Sequence, residues 1–312
     1  MVLAIVMAVV LGVIGVAIVK PEIFRTSGTT TSAPTAKSTA ASTSESRTTT
    51  TRSTRTTTAR TTTSTSTTPS VQPTPTGEAA LGGNPILQVG GGMSKQICSP
   101  PGSPSDEAAS KAFYNAALPC LERGWQPMVQ RAELNYDNPA LLVPTGITTS
   151  TPCGSVDTSP SSRIAAFYCS TNQTMYMPLA SDTGNTPIES LTVFAHEFGH
   201  HIQELTGTLE EGHRSERRAG SDTPAGLEIS RRTELQAQCF SGQFIEAIVD
   251  SGGPFTRADY DAIRELEGRR GDRPGEQRTH GTPQSSQFWW TRGSQSQISL
   301  CNTWLAPSGE VA

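Results

Sequence analysis

The sequence predicts an α+β domain in which a helix comes first, a small antiparallel sheet follows, and further helices end the chain. Three observations predict it. An apolar pattern of helical period starts near residue 106. Short apolar, β-branched segments lie between residues 140 and 179, two of them on either side of a turn. From Pro187 onward the helical period returns.

Element by element, Asn84–Met93 is glycine-rich and reads as extended. Ser105-Asp106-Glu107 reads as a helix start, with a capping serine and acids in the first turn. Ala109, Ala112, Phe113 and Ala116 follow at helical spacing. Pro119 is expected to kink or divide this helix, and Leu121, Trp125, Met128 and Val129 carry a second run to about Ala132. Ala140–Ile147, Ile164–Cys169 and Thr174–Leu179 read as strands, with Ser170-Thr171-Asn172-Gln173 as a hairpin turn between the last two. After Pro187, Leu191, Phe194, Ala195, Phe198 and Ile202 mark one helix face. Further helices fit Ala225–Val249, Arg257–Arg269 and Thr282–Arg292.

The domain does not use the whole chain. Residues 27–76 are almost entirely Thr, Ser, Pro, Ala and Arg, which cannot bury enough apolar surface to offset the entropy of ordering. Val2 to Val19 is an unbroken apolar run of 18 residues, about 27 Å as a helix and just enough to span a bilayer core. The expected organisation is a transmembrane signal anchor over 1–20, a Ser/Thr/Pro-rich stalk over 21–80 and a folded domain over 81–312. A cleaved signal peptide is the competing reading of the first segment, although no A-x-A-like site follows it. Lys20 and Arg25 follow the run and none precedes it, so flanking charge alone would keep the C-terminus in the cytoplasm. The cysteines and the stalk argue for the outside, and long domains translocate largely regardless of flanking charge. The expected address is therefore the cell membrane, single-pass, with the domain extracytoplasmic and the stalk passing along a cell wall.

Charge is unevenly spread. The chain carries −4; subtracting +4 for 27–76 and +1 for 1–26 leaves −9 on 77–312. An acidic domain is a poor electrostatic footprint for nucleic acid, which is excluded as a partner. All six cysteines lie in the domain and no pair has C-x-x-C spacing, so neither a zinc ribbon nor a thioredoxin motif is indicated. The expectation is three disulfides; of the fifteen possible pairings, that between neighbours (Cys98–Cys120, Cys153–Cys169 and Cys239–Cys301) is taken, with six buried free thiols as the competing reading.

The chemistry sits in Ala195-His196-Glu197-Phe198-Gly199-His200-His201, which contains H-E-x-x-H. On a helix, positions i and i+4 share a face, so the imidazoles of His196 and His200 can converge on one metal ion. Glu197 can reach a metal-bound water, whose pKa zinc lowers to about 7, and act as general base toward a carbonyl. His201 points about 100° away from His200 and is not a ligand of the same ion. The motif alone is short and also fits a helix with a charged exposed face. Its amphipathic flanks, and three of the chain's five histidines within six residues, favour the metal.

A catalytic zinc usually has three protein ligands. The longer motif with a later glycine and histidine is excluded, because Gln203 and Thr206 occupy those positions. A downstream Glu is the other common choice. Glu210, Glu211, Glu216, Glu228, Glu234 and Glu246 are available, and Glu234 fits best, within an amphipathic helix where small Ala237 permits close approach. Spacing leaves this even against a surface ion pair with Arg231 or Arg232. His213 lies in a charged stretch and is expected to be exposed.

Taken together, His196-Glu197-Phe198-Gly199-His200-His201-Ile202-Gln203, Glu234-Leu235-Gln236-Ala237 with Cys239, and His280-Gly281-Thr282-Pro283 resemble the bacterial putative neutral zinc metallopeptidase family. Thr151-Pro152-Cys153-Gly154 and Ala166-Phe167-Tyr168-Cys169 fit it too, and the resemblance spans roughly 84–304. It implies a zincin-like, gluzincin-like, membrane-anchored peptidase that binds Zn2+ through His196, His200 and Glu234, works with Glu197, and acts on peptide or protein substrates. It also implies that the strand Thr174–Leu179 is an edge that pairs with substrate. One departure matters: Gln238 stands where the family pattern E-L-Q-A-D has its Asp. That acid commonly orients a ligand histidine, so a weaker or slower site is expected. His280 lies where related peptidases can place a donor to the oxyanion. Before Gly281 it also reads as a helix-cap or turn histidine, and that reading is preferred. The competing functional class is a non-catalytic, zinc-containing cell-surface module.

Overall fold

The computed structural model describes residues 71–312, apart from 163 and 183. The expected anchor and most of the expected stalk lie outside the described residues. Among the described residues, no helix is long and apolar enough to cross a membrane.

The domain is α+β. Helix α1 spans Glu107–Arg131. The strands are β1 (Ala140–Leu142), β2 (Thr148–Thr151), β3 (Gly154–Asp157), β4 (Phe167–Cys169) and β5 (Thr174–Tyr176). The remaining helices are the short α2 (Leu179–Asp182), α3 (Pro187–Leu205), α4 (Thr208–Ala219), α5 (Pro224–Ile248), α6 (Arg257–Glu267) and α7 (Pro283–Gly293).

Helix α1 starts one residue later than expected. Asp106, not Ser105, is the cap, its carboxylate accepting from the Ala109 N–H at 2.9 Å. Pro119 does not divide it, and Pro127 lies inside it as well. The buried face of Phe113, Ala117, Leu121, Trp125 and Met128 runs straight past Pro119, so burial outweighs the backbone bond each proline removes. Helix α3 begins as its sequence dictates. Thr186 and Glu189 form a capping box, and Pro187 takes the first helical position, where no N–H is needed.

The three-stranded sheet has the order β1-β5-β4. Strand β4 pairs antiparallel with β5 through the expected turn, where Gln173 takes a left-handed conformation at φ 48°. Strand β1 pairs parallel with β5, so the sheet is mixed, not antiparallel. Residue 140 reaches β5 from an earlier part of the chain rather than from a hairpin, which leaves its direction unconstrained by a tight turn. Residues 84–93 also differ from expectation. Pro85–Gln88 forms a 3-10 turn, with the Asn84 side chain accepting from the Ile86 N–H.

The β2–β3 hairpin, α4 and the short α2 have no counterpart in the sequence reading. The β2–β3 hairpin is built of Thr, Ser and Gly, and its single buried apolar residue, Val156, gives no alternation to detect. Helix α4 is mostly charged, and its buried face is Thr208, Leu209, Glu211 and Gly212. All three disulfides pair as expected.

The core is α1, α3, α5 and α7 stacked through Phe113, Trp125, Phe194, Phe198, Phe240, Phe244 and Trp290. Helices α3 and α5 cross very closely. A Cβ on Gly199 would lie 3.1 Å from the Ala237 Cα and carbonyl oxygen, so only glycine leaves this contact relaxed.

Candidate metal centre

That close crossing builds the site. Gly199 lies between His196 and His200, and Ala237 is one turn beyond Glu234. With both contact residues small, the Glu234 carboxylate reaches the two imidazoles. The Nε2 atoms of His196 and His200 are 3.2 Å apart, and each is 3.4 Å from Glu234 Oε2. Tetrahedral zinc with ligands at 2.0–2.1 Å has donor–donor edges of about 3.3 Å. The triangle fits.

Glu234 is 2% exposed, and among the described residues neither of its oxygens has a hydrogen-bond partner. A buried carboxylate without donors is costly unless a positive charge faces it. Arg231 and Arg232, the alternative partners, turn elsewhere. Arg231 donates to the Val311 and Arg278 carbonyls, and Arg232 pairs with Glu228.

The ring tautomers follow from what stands behind each histidine. His200 Nδ1 lies 2.8 Å from Gln203 Oε1, and Gln203 Nε2 donates to the Thr233 carbonyl at 2.8 Å. A carbonyl only accepts, so Gln203 must turn its NH2 toward Thr233 and its oxygen toward His200. His196 Nδ1 lies 2.8 Å from Gln238 Oε1, and Gln238 Nε2 donates to Glu267 Oε2. A carboxylate fixes this amide in the same way. In their neutral form both rings therefore carry their proton on Nδ1 and aim a bare Nε2 at the shared point, as metal ligation requires. The expectation that residue 238 stands behind a ligand histidine is met by position. Gln203 does the same for His200, although the sequence marked it only as an exclusion.

Burial disfavours a charged imidazole at both rings and lowers the His196 pKa. At His200 the Glu234 carboxylate outweighs burial and raises the pKa to about 9. Glu234 is held well below the usual carboxylate range, because His200 and His280 override the effect of burial. Glu197 is fully buried, and the backbone N–H of Tyr168 is the one donor turned toward it among the described residues. Burial pushes its pKa up to about 8, against the pull of His200. The backbone N–H of Tyr168, on β4, favours its charged form.

The sheet corrects one expectation. Strand β5 is central, bonded to β1 on one side and β4 on the other, so it offers no edge to a substrate. The strand beside Glu197 is β4. His201 fixes it there. Its Nε2 meets the Asp137 carbonyl at 2.8 Å and its Nδ1 meets the Tyr168 hydroxyl at 3.0 Å. His201 thus points away from the cluster, as expected.

His280 does not behave as an isolated turn residue. Its Nε2 is 3.8 Å from Glu234 Oε2, and its Nδ1 is 3.6 Å from Asp272 Oδ1. Asp272 also accepts from the His280 and Gly281 N–H groups and so pins the ring at the site. A small cavity beside the cluster is lined by His196, Glu234, Gln238, Glu267, Arg270 and His280. Burial pushes Glu267 up, against its donors Arg270, Ser286 and Gln238. His213, expected to be exposed, is half-buried with its Nε2 unpartnered among the described residues. Burial holds its pKa near about 4. The charged residues around it gave the opposite signal, but Glu210, Arg217 and Arg218 lie on the outer face of α4.

Glu267, Arg270 and Asp272 escaped the sequence reading. They sit in a run of charges, Glu265 to Arg273, that carries no motif spacing.

The family model described as "Putative neutral zinc metallopeptidase" matches residues 84–304. "Uncharacterized protein YpfJ" of Escherichia coli is 29% identical over 235 residues, covering 70% of this chain and 79% of that protein. "Uncharacterized protein Rv2575" of Mycobacterium tuberculosis is 28% identical over 210 residues, covering 58% of this chain and 66% of that protein. No solved structure matches the chain.

Proposed function

The chain belongs to the putative neutral zinc metallopeptidase family, and from that premise we propose that it is a zinc-dependent peptidase, anchored in the cell membrane with its domain outside the cytoplasm. The observation that carries the reading is the triangle of His196 Nε2, His200 Nε2 and Glu234 Oε2, with edges of 3.2, 3.4 and 3.4 Å around an unpartnered buried carboxylate.

These three residues are proposed to hold zinc. When bound there, zinc would lower the pKa of a water to about 7 and polarise the scissile carbonyl. Glu197, adjacent to the first ligand, takes the proton of the attacking water and returns it to the leaving amine. Burial favours its protonated form and the Tyr168 N–H its charged form, a balance that suits a group that exchanges one proton. His280, held by Asp272 beside Glu234, can donate to the oxyanion that forms on the carbonyl oxygen. A peptide or protein substrate lies along β4, the outer strand next to Glu197, rather than along β5. Support for the outside address comes from the apolar run Val2–Val19, the Ser/Thr/Pro-rich stalk and three disulfides. Along the stalk the domain would stand off the membrane and through a cell wall.

The test is metal content and peptide hydrolysis of the full-length protein. One zinc per chain, with hydrolysis lost and zinc kept in Glu197→Ala, is the expected result. A zinc-loaded wild type that cleaves nothing in a broad peptide library would support the second reading, a non-catalytic zinc module. His280 is the group that favours that reading, since an imidazole near Glu234 could close the site as a fourth ligand. His280→Ala separates the two. A donor role leaves zinc affinity intact and lowers turnover about 10²–10³-fold, whereas a ligand role lowers zinc affinity itself.

A further inference from the structure

We propose that Glu267 supplies the negative charge behind His196, acting through the Gln238 amide as a positioning residue. The inference rests on the metal reading of the cluster given above.

The two histidines have the same neighbour type and different second neighbours. His200 is backed by Gln203, whose amide ends on neutral acceptors, the Thr233 carbonyl and the Gln236 side-chain oxygen at 3.0 Å. His196 is backed by Gln238, whose amide ends on the carboxylate of Glu267. Glu267 is the last residue of α6 and is fully buried. A fully buried carboxylate is costly without donors, and Glu267 has three. They are Gln238 Nε2, Arg270 Nη1 at 2.6 Å and Ser286 Oγ at 3.1 Å.

The consequence is directional. An N–H donated to a carboxylate polarises its amide and makes the amide oxygen a stronger acceptor. That oxygen receives the His196 Nδ1–H, and a stronger bond there raises the basicity of Nε2, the proposed ligand atom. The same carboxylate fixes the amide orientation, because a flipped Gln238 would set its oxygen against Glu267 and its NH2 against Nδ1. An uncharged residue at 238 can thus serve a function normally given to an acid, because the acid stands one residue further back on another helix.

The experiment measures zinc affinity of the full-length protein by chelator competition, for wild type, Glu267→Gln, Gln238→Asp and the double variant. Glu267→Gln keeps an acceptor for Gln238 and removes only the charge. The expected result is a loss of about tenfold in zinc affinity. In the Gln238→Asp background, Asp would back His196 directly and face Glu267 as a like charge. There Glu267→Gln should leave affinity unchanged or improve it. A merely structural Glu267, holding Arg270 and Ser286, would weaken zinc binding equally in both backgrounds, and that result overturns the proposal. So does an unchanged affinity in the single variant. If Glu267→Gln also lowers the melting temperature of the zinc-free protein, the sign of its effect in the Gln238→Asp background still decides. A wild type that binds no zinc overturns the metal reading itself and is told apart from failure of the relay by that fact.

Discussion

At the residue scale, the proposed function rests on four side chains on two helices. Glu197 is the one whose removal should separate chemistry from binding. Glu197→Gln is expected to lower peptide turnover about 10²–10⁴-fold while zinc content stays at one per chain. Stopped assays with metal analysis on the same preparation check this. Glu234→Ala should do the reverse and release the metal, since it removes one of three donors that meet at 3.2–3.4 Å. A Glu234→Ala protein that keeps stoichiometric zinc after dialysis would show that the triangle is not the binding site. The histidines and Glu197 were legible because an i, i+4 spacing is a local property of a helix. Glu234 was legible only with the help of the resemblance, since spacing left it level with an ion pair to Arg231 or Arg232. Glu267, Asp272 and Arg270 were not legible at all. They reach the site from a different helix and the loop after it, and their sequence neighbours are ordinary surface charges.

At the element scale, the site depends on helices that touch backbone to backbone. Gly199 against Ala237 sets the spacing of α3 and α5. On the other side of α5, a Cβ on Gly242 would fall on the Trp290 carbonyl, and one on Gly293 would fall on the Cys239 carbonyl. Gly242→Ala should therefore force α7 away from α5 and cost about 1–3 kcal/mol. At roughly 2–4 °C per kcal/mol for a domain of this size, calorimetry resolves such a change. An unchanged melting temperature would mean that α7 does not pack as tightly as its glycines indicate. The sheet shows the limit of local patterns. Strands β4 and β5 were marked by their apolar residues and turn, but their neighbours were not. Which strand is an edge depends on β1 arriving parallel from 34 residues earlier, Ala140 opposite Thr174, and no periodicity encodes that.

At the scale of the whole molecule, three disulfides tie the described domain together. Cys239–Cys301 has the longest span, with a sequence separation of 62, and it fastens the final segment to α5 one residue from Gln238. Replacing both cysteines by serine should destabilise the protein by about 2–4 kcal/mol and loosen the site behind His196. Equal melting temperatures and equal zinc affinity for this variant and the wild type would refute both effects. The address is testable at this scale too. Fractionated cells should carry the full-length protein in the membrane, with the domain open to added protease.

What the sequence determined by itself was set by short-range rules. It marked the α+β order, the motif helix after Pro187, the presence of disulfides, and the residues His196, Glu197 and His200. Each follows from spacing or composition within a few dozen residues. What only the tertiary structure decided depends on contacts between distant segments. It set Glu234 against the histidines through a glycine–alanine crossing, turned β5 into a central strand, drew His280 and Asp272 into the site, and put a buried carboxylate behind Gln238. Those arrangements arise from packing, and packing joins residues whose separation along the chain carries no period.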